Sequence, residues 1–564
     1  MRIRPGWPFG RSPVLFSVLA VYLLAFLVLP VGAMVLRGLT NADGQFAADH
    51  LQLLLANPVY LESLKNSLLI ACGAALLAAL ASLPIAMLLW RYHVRPSIYI
   101  ELCGFLPLFV PPFVLALSLQ NFLGRGGALG WWLAGDFDPA ILGLPSVMLV
   151  EALHYFPLVL MTLVMTTSAY SQQAREAARL GANWWRLMIR VFLPLGMPGL
   201  AFGMSITFLK TMDDLATPLS LGVTNLLAPQ AFFRVSAYGS QDPLSSLIAT
   251  LMVLISALAW LASIRLVRRQ VSLRSGAGAS AAALPSRQQT IVGLACLGGM
   301  VLLYVTLYAG VLLTSVARIW SYTLLPESFV LSHYLTAISD ERGSFINTLI
   351  YCGFAAVVDV LVGLLMAYAI GRASPCWKTW LTWAAAGLLS VPGVALAIAY
   401  LQFFRFVELP FFNLTIDASW FMLPMAFSVR GLPFAIRACT IALQRLPGNT
   451  IDAASLSGGS RFGVATKIVL PMMAFGLFVA FLLCFGVAAV DLSSAMLLVP
   501  SETDAPVAYS IYLNMQSTTG RGAGSALAVL SMALVTLSLF VLLALLRPNS
   551  RASSSFRKFV FTAS

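Results

Sequence analysis

Long apolar segments alternate with short polar ones along the whole chain. The apolar runs begin near Val14, Leu68, Ile98, Ala140, Val191 and Leu244 in the first half, and near Ile291, Phe345, Trp380, Ala418, Ile468 and Ala526 in the second. Each run is long enough to cross about 30 Å of hydrocarbon as a helix. The pattern predicts an all-α membrane protein with about twelve transmembrane helices, six in each half.

The composition and the placement of charge agree with a membrane protein. Apolar residues make up 60% of the chain and charged residues 10%, against roughly 25% charged in soluble domains. Basic residues gather at the N-terminus, in the central segment from Arg265 to Arg287 and after Arg547, and cytoplasmic loops retain Lys and Arg. We therefore expect a multi-pass protein of a bacterial inner membrane with both termini cytoplasmic. This topology accounts for the net charge of +13 without a nucleic-acid partner.

One polar motif occurs twice, with its glycine and its Leu-Pro pair 277 residues apart. The copies read Glu176-Ala177-Ala178, Gly181, Leu193-Pro194 and Asp452-Ala453-Ala454, Gly458, Leu470-Pro471. Asn66 and Asn347, Arg91 and Arg372, and Val110-Pro111 and Val391-Pro392 also match, each 281 apart. The repeats predict a fused tandem duplication with a first half at 1–271, a Ser/Gly/Ala-rich cytoplasmic linker at 272–289 and a second half at 290–564.

The repeated motif resembles the cytoplasmic loop of permease subunits of binding-protein-dependent ABC importers. That signature reads Glu-Ala-Ala, three residues, Gly, nine residues, Ile, one residue, Leu-Pro. The second copy has this spacing, with Asp452 in the Glu position and Ile468 in the Ile position, whereas only two residues separate Ala178 from Gly181 in the first. The resemblance implies the type I ABC importer permease fold. Single-chain fusions of this size are most similar to iron(III) and thiamine permeases.

The resemblance also implies partners. The two loops would be coupling loops for two copies of a cytoplasmic ABC ATPase, with Glu176, Ala177, Ala178, Gly181, Asp452, Ala453, Ala454 and Gly458 as their residues. A periplasmic binding protein would deliver the solute, and lipid would surround the spans. The chain itself has no Gly-x-x-x-x-Gly-Lys-Ser/Thr phosphate loop. We therefore expect no catalytic residue and no cofactor here, with ATP and magnesium held by the ATPase.

Ionisable residues inside predicted spans are candidates for the transport path, because such groups are costly in a membrane. Lys210, Asp213 and Asp214 form the densest group, and Asp491 repeats Asp214 at an offset of 277. Glu151 and His154 lie three apart on one helix face, where they would line a path or pair with each other. Asp359 needs an internal partner or a wet cavity. The scattered cysteines lack the close pairs of metal sites, so no metal site is predicted.

The sequence therefore predicts the translocation subunit of an ATP-driven importer of a small solute, with iron(III) first and thiamine or another small solute next. A twelve-helix secondary transporter without an ATPase is the alternative, but it would not need acid-Ala-Ala loops. A membrane-embedded enzyme would require clustered histidines or acids at one surface, and the four histidines are scattered.

Overall fold

The computed structural model consists almost entirely of helices. It describes residues 13–41, 44–92, 94, 110–124, 143–168, 183–268, 287–320, 323, 325–404, 408–409, 414–415, 421–446, 453–454, 456–457, 460–517 and 519–546. Within these residues, nine helices are long and apolar enough to cross a membrane, and ten if one bent pair counts as a single crossing. Two shorter apolar helices, Pro112–Leu123 and Arg521–Leu534, lie at the third and twelfth predicted spans. Every predicted apolar run thus overlaps a described helix, and the part of the third run before Val110 lies outside the described residues.

The first half contains eleven described helices, three of them short. They are α1 (Pro13–Leu23), α2 (Leu29–Leu39), α3 (Ala48–Ala56), α4 (Pro58–Arg91), α5 (Pro112–Leu123), α6 (Leu144–Ser168), α7 (Trp184–Leu187), α8 (Leu193–Asp213), α9 (Ala216–Ser220), α10 (Leu227–Tyr238) and α11 (Pro243–Arg268). A π-helical turn at Leu24–Val28 joins α1 to α2, and another at Met188–Phe192 joins α7 to α8.

The second half repeats this order. Its described helices are α12 (Arg287–Val316), α13 (Ser332–Asp340), α14 (Arg342–Arg372), α15 (Pro375–Gly387), α16 (Gly393–Phe404), α17 (Met422–Gln444), α18 (Arg461–Val464), α19 (Leu470–Ala489), α20 (Leu492–Leu498), α21 (Val507–Gln516) and α22 (Arg521–Leu546). A small hairpin pairs β1 (Glu408–Leu409) with β2 (Leu414–Thr415). Most of the predicted linker lies outside the described residues, and α12 already begins at Arg287.

Small residues bring the spans of each half into close contact. Gly199 and Gly203 lie four apart on α8, and a Cβ on either glycine would overlap Thr162 of α6. Lipid tails are as apolar as leucine, so helices in a membrane associate through such close packing rather than through the hydrophobic effect. The second half uses Gly476 and the buried Ala480 at the same two positions of α19.

A π-helical turn precedes the Leu-Pro pair in both halves. The turns are Met188–Phe192 before Pro194 and Ala465–Val469 before Pro471. A proline ring inside a helix clashes with the carbonyl four residues earlier and removes one hydrogen bond, and a widened turn accommodates both defects. Each proline therefore lies within a continuous apolar helix that starts before it, at Trp185 in the first half and at Ala465 in the second.

Hydrogen bonds on the equivalent asparagine pair show the duplication in three dimensions. The Asn66 side chain donates to the carbonyl of Asn225, and that of Asn347 donates to the carbonyl of Thr503. The next residue accepts a backbone N–H in each half: Ser67 from Leu227 at 2.9 Å, and Thr348 from Val507 at 2.8 Å. Equivalent hydrogen bonds therefore hold the start of α10 in the first half and of α21 in the second.

The first span of each half packs on the opposite half. Tyr22 hydrogen-bonds Ser428 of α17 at 2.6 Å, and Tyr400 of α16 donates to the carbonyl of Phe26 at 2.7 Å. In the other direction, Ser118 of α5 donates to the carbonyl of Leu307 of α12 at 2.8 Å. The halves are joined by this exchange of helices.

Candidate functional site

A buried ion-pair cluster joins the two halves. Asp213 is the last residue of α8, and its carboxylate accepts a hydrogen bond from the guanidinium of Arg430 on α17. The same guanidinium contacts Asp491 at 2.6 Å. All three side chains are at most 11% exposed. One arginine from the second half therefore bridges a carboxylate from each half, which is the arrangement a buried charge needs in order to be stable.

A sharp bend in the ninth span supplies a further donor to this cluster. The axes of residues 377–390 and 393–404 meet at 88° on either side of Val391 and Pro392. The backbone N–H of Gly393, free at the start of α16, donates to the second oxygen of Asp213. A Cβ at Gly393 would overlap the Arg430 guanidinium, so only glycine fits here without a shift.

Asp491 and Asp214 begin the same short helix in their respective halves. Asp491 accepts a hydrogen bond from the N–H of Ser494 at the start of α20, at 3.2 Å. Asp214 accepts one from the N–H of Ala216 at the start of α9, at 3.0 Å. An aspartate at this position satisfies donors that a helix leaves open. The predicted equivalence of Asp214 and Asp491 is therefore a structural one.

Asp214 nevertheless faces a different environment from Asp213 and Asp491. It lines a cavity within the first half, together with Glu151 of α6. Glu151 is fully buried and accepts a hydrogen bond from Thr211 at 3.2 Å. The expected pairing of Glu151 with His154 is not seen, since the Nδ1 atom of His154 has no hydrogen-bond partner among the described residues and its ring packs edge-on against Tyr155.

Lys210 lies beside the ion-pair cluster. It lines a second small cavity with Asp213, Arg430 and the bend at residues 388–392. This cavity lies between the halves, because Lys210 and Asp213 belong to the first half and the other residues to the second. The predicted group of Lys210, Asp213 and Asp214 is thus divided: the first two face the interface, and Asp214 faces inward.

Asp359 stands apart from these cavities. It is 1% exposed on α14 and accepts a hydrogen bond from Ser428 at 3.1 Å, and Ser428 also bonds Tyr22. The internal partner predicted for Asp359 is therefore a serine that links the first span to the second half.

Two polar residues on equivalent helices add further ties between the halves. Asn121 of α5 donates to Thr314 of α12 at 3.3 Å, and Gln402 of α16 donates to the carbonyl of Ser240 at 2.7 Å. The loop that receives Gln402 is held by an ion pair outside the spans, in which Arg234 contacts Asp242 at 2.5 Å. The hydrogen bonds that Arg234 donates to Asp242 raise the pKa of Arg234 above its ordinary value.

The coupling loops are described only in part. Glu176, Ala177, Ala178 and Gly181 lie outside the described residues, as do Asp452 and Gly458. Ala453 and Ala454 are helical, and the N–H of Ser457 donates to the carbonyl of Ala453. Leu456 follows with 88% of its surface exposed, the largest exposure of any large apolar side chain in the described part of the chain.

The sequence reasoning missed Arg430 and Gly393. An arginine between Pro424 and Pro433 of an otherwise apolar span was a signal that could have found the first, because a charge inside a membrane needs a partner. Within the described residues, no group of three or more His, Cys, Asp or Glu side chains could hold a metal ion.

The comparison with known proteins identifies the family. Residues 80–273 match the family described as binding-protein-dependent transport system inner membrane component. On this match and on the relatives below, the chain is an inner membrane permease. The permease is similar to the putative ferric transport system permease protein FbpB 1 of Haemophilus influenzae, with 27% identity over 511 residues, covering 88% of this chain and 79% of the relative.

Two further relatives cover different shares of the permease. The ferric transport system permease protein FbpB of Actinobacillus pleuropneumoniae is 26% identical and covers 89% of this chain and 74% of its own length. The spermidine/putrescine permease PotC of Escherichia coli is 25% identical and covers 42% of this chain but 86% of itself. The permease is therefore a double-length member, comparable in extent to the ferric relatives.

The family confirms the central predictions. The permease is a multi-pass inner membrane component of a binding-protein-dependent ABC importer and not itself the enzyme. This finding decides against the secondary transporter and against the membrane-embedded enzyme.

Proposed function

We propose that this permease imports ferric iron, which a periplasmic binding protein delivers and two copies of a cytoplasmic ABC ATPase drive inward. The observation that carries the choice of solute is the similarity to two ferric permeases over nearly nine tenths of the chain. The polyamine permease matches over 42% of this chain and 86% of its own length. Both termini and both coupling loops are assigned to the cytoplasm, in line with the basic residues around them.

The ion-pair cluster is proposed as the gate between the halves. Asp213 belongs to the first half and Arg430 to the second, so a rocking movement of one half against the other must stretch or break their contact. Separating a buried pair leaves an unpaired charge and costs about 3–5 kcal/mol. A cost of this size favours the closed arrangement until ATP binding and the delivered solute offset it.

The same cluster supports a cationic solute. Asp213 and Asp491 are both held by Arg430 in the closed arrangement. If the halves separate, the two carboxylates become available, and carboxylate oxygens are ligands suited to hard, highly charged cations. Ferric iron would then replace the guanidinium for the time of its passage. Lys210 would keep this contact short-lived by repelling the cation.

Transport of iron can be measured on the permease in lipid vesicles with its ATPase and binding protein. We expect uptake of radioactive ferric iron that requires ATP and all three components. Excess unlabelled ferric iron should suppress this uptake, and excess putrescine or thiamine should not. Uptake of thiamine or putrescine in place of iron would refute the substrate. ATP hydrolysis by the permease alone would refute the division of labour between permease and ATPase.

The coupling loops can be tested by the pair of variants Gly458→Pro and Gly181→Pro. Each should lower transport-linked ATP hydrolysis while membrane insertion stays intact, and the two effects should differ because the first motif is one residue shorter. If both variants transport normally, the docking assignment is wrong.

A second pair of variants tests the exposed surface of the same loop. Leu456→Asp should weaken ATPase binding, because a charge would replace an apolar contact. Leu335→Asp is the matched control, since Leu335 is 72% exposed on α13, which the proposed topology places on the outer side. Equal ATPase binding by both variants would exclude Leu456 from the contact.

A further inference from the structure

The two aspartates that begin α9 and α20 differ in how their second carboxylate oxygen is satisfied. In the second half, the Oδ2 atom of Asp491 contacts the Arg430 guanidinium. In the first half, the Oδ1 atom of Asp214 caps α9, whereas its Oδ2 atom is buried and has no hydrogen-bond partner among the described residues. The same backbone position thus has a cation in one half and none in the other.

Another carboxylate stands beside Asp214 where a cation would be expected. Glu151 is 0% exposed, and its Oε2 atom accepts the hydrogen bond from Thr211 while its Oε1 atom is buried and without a partner in the described structure. Both acids line one cavity of about 10 Å³, close to the smallest space that holds a water molecule. The Glu151 and Asp214 carboxyls lie close enough to share one hydrogen bond when a proton is present, and the Thr217 hydroxyl is within reach of Glu151.

Thr217 adds a third buried oxygen beside the two acids. It is 0% exposed, and its hydroxyl lies within hydrogen-bonding reach of the Glu151 carboxyl. Buried polar atoms in native proteins are almost always paired with protein, water or an ion. Among the described residues, one oxygen of Glu151 and one of Asp214 have no such partner. Elsewhere the cavity is mostly apolar, with Ile70 and Val147 among its lining residues.

The charged groups on the neighbouring helices do not supply the missing cation. Arg430 of α17 is bound to Asp213 and Asp491. Lys210 of α8 is near enough to interact with Asp214 electrostatically, but it lines the other cavity, between the halves.

Neutral residues make up the rest of the surroundings. Besides the two acids, Ser67 of α4 and Thr211 of α8 are the cavity's polar lining residues, and α10 brings Ala228 to the cavity. Two carboxylates confined together cannot both stay ionised without a compensating charge.

We propose that Glu151 and Asp214 form a binding site for one small monovalent cation, a proton or a sodium-sized ion, which takes in the first half the place of the Arg430 guanidinium in the second. Carboxylate and hydroxyl oxygens are the ligands of hard cations. The charge balance is the same in both places, because Arg430 also serves two carboxylates. The bound cation ties α6 to the start of α9, whichever solute the permease carries.

Thermal unfolding of the purified permease in lipid nanodiscs tests this site. We expect wild type to unfold at a higher temperature when the site is filled, by about 2–4 °C. Sodium chloride replacing choline chloride at constant ionic strength should raise the midpoint if the ion is sodium. If the cation is a proton, the midpoint in choline chloride should fall as the buffer changes from mildly acidic to mildly alkaline.

Two neutral variants locate the effect. Glu151→Gln and Asp214→Asn should each remove the dependence on sodium or on pH, and asparagine still caps a helix. Asp359→Asn is the matched control, since it neutralises another fully buried acid outside the cavity, and it should keep the wild-type dependence.

Several outcomes would overturn the site. The proposal fails if the wild-type midpoint responds to neither sodium nor pH, a result that needs no variant to fold. It also fails if the dependence persists in both Glu151→Gln and Asp214→Asn. If Lys210→Met removes the dependence and Glu151→Gln does not, the responsible charge belongs to the lysine.

Discussion

The two halves differ most at the three positions that build the ion-pair cluster. The residue before the helix-capping aspartate is Asp213 in the first half and Val490 in the second. His154 precedes Pro157 by three residues in the fourth span of the first half, and Arg430 precedes Pro433 by three in that of the second. After the matched Val-Pro pair come Pro112 and Gly393, of which only the glycine has an N–H to donate.

The difference shows that duplication preserved the backbone and not the charge. Both halves keep the asparagine anchor, the capping aspartate and the π-helical turn before Leu-Pro. Asp213, Gly393 and Arg430 form the ion-pair cluster. The equivalent positions of the opposite halves are occupied by Val490, Pro112 and His154. A fused chain can vary its halves independently. In this chain only one of the two equivalent sets of interface positions forms the ion-pair cluster.

The largest expected effect is that of Arg430→Met. It leaves Asp213 and Asp491 buried without their cation, which should cost about 3–5 kcal/mol of stability and abolish uptake. The equivalent change His154→Met should cost less than about 1.5 kcal/mol, because the Nδ1 atom of His154 has no hydrogen-bond partner to lose among the described residues. Thermal unfolding and iron uptake measure both. The double variant Arg430→Met with Asp213→Asn should be more stable than Arg430→Met alone, and equal losses at residues 154 and 430 would contradict the asymmetry.

The second largest effect is expected for Gly393→Ala. The added methyl group would overlap the Arg430 guanidinium, and overpacking of this kind costs about 1–3 kcal/mol. Pro112→Ala at the equivalent position should change stability by less than about 1 kcal/mol. Unfolding midpoints of both variants provide the measurement. A harmless alanine at residue 393 would mean that Arg430 can relocate.

A matched pair of variants should show symmetry where the halves are alike. Ser67→Ala and Thr348→Val each remove the acceptor of one buried backbone N–H, that of Leu227 or Val507. Each loss should cost about 1–2 kcal/mol, and the two values should agree closely. Strongly unequal unfolding midpoints would show that the anchors are not equivalent.

The smallest effect is expected for Asp359→Asn. Its oxygen can still accept the hydrogen bond from Ser428, so stability should change by less than about 1 kcal/mol and uptake should persist. Measuring iron uptake by Asp359→Asn and Asp213→Asn in parallel tests whether the two acids have different roles. A loss at residue 359 as large as that at residue 213 would place a second functional charge outside the cluster.

The apolar runs and the repeat were sufficient to predict the twelve helices and the duplication, because both signals are local or periodic. The cluster was beyond such reasoning for a physical reason. Asp213 and Arg430 are 217 positions apart, and no periodicity encodes which distant span a side chain will face. Glu151 and His154 lie on one helix face as predicted, yet one reaches a cavity with Asp214 while the other packs against Tyr155.

The exchange of first spans has a consequence for synthesis in the cell. Tyr22 meets Ser428, which the ribosome adds 406 residues later, or about 20–80 s at usual rates of elongation. During this interval the first span must stay in the bilayer without its final partners. Its stretch Ser17–Leu39 has a mean hydropathy of 2.6 and is only 22% buried even in the finished protein. Lipid alone can therefore hold the newly made helix until the second half arrives.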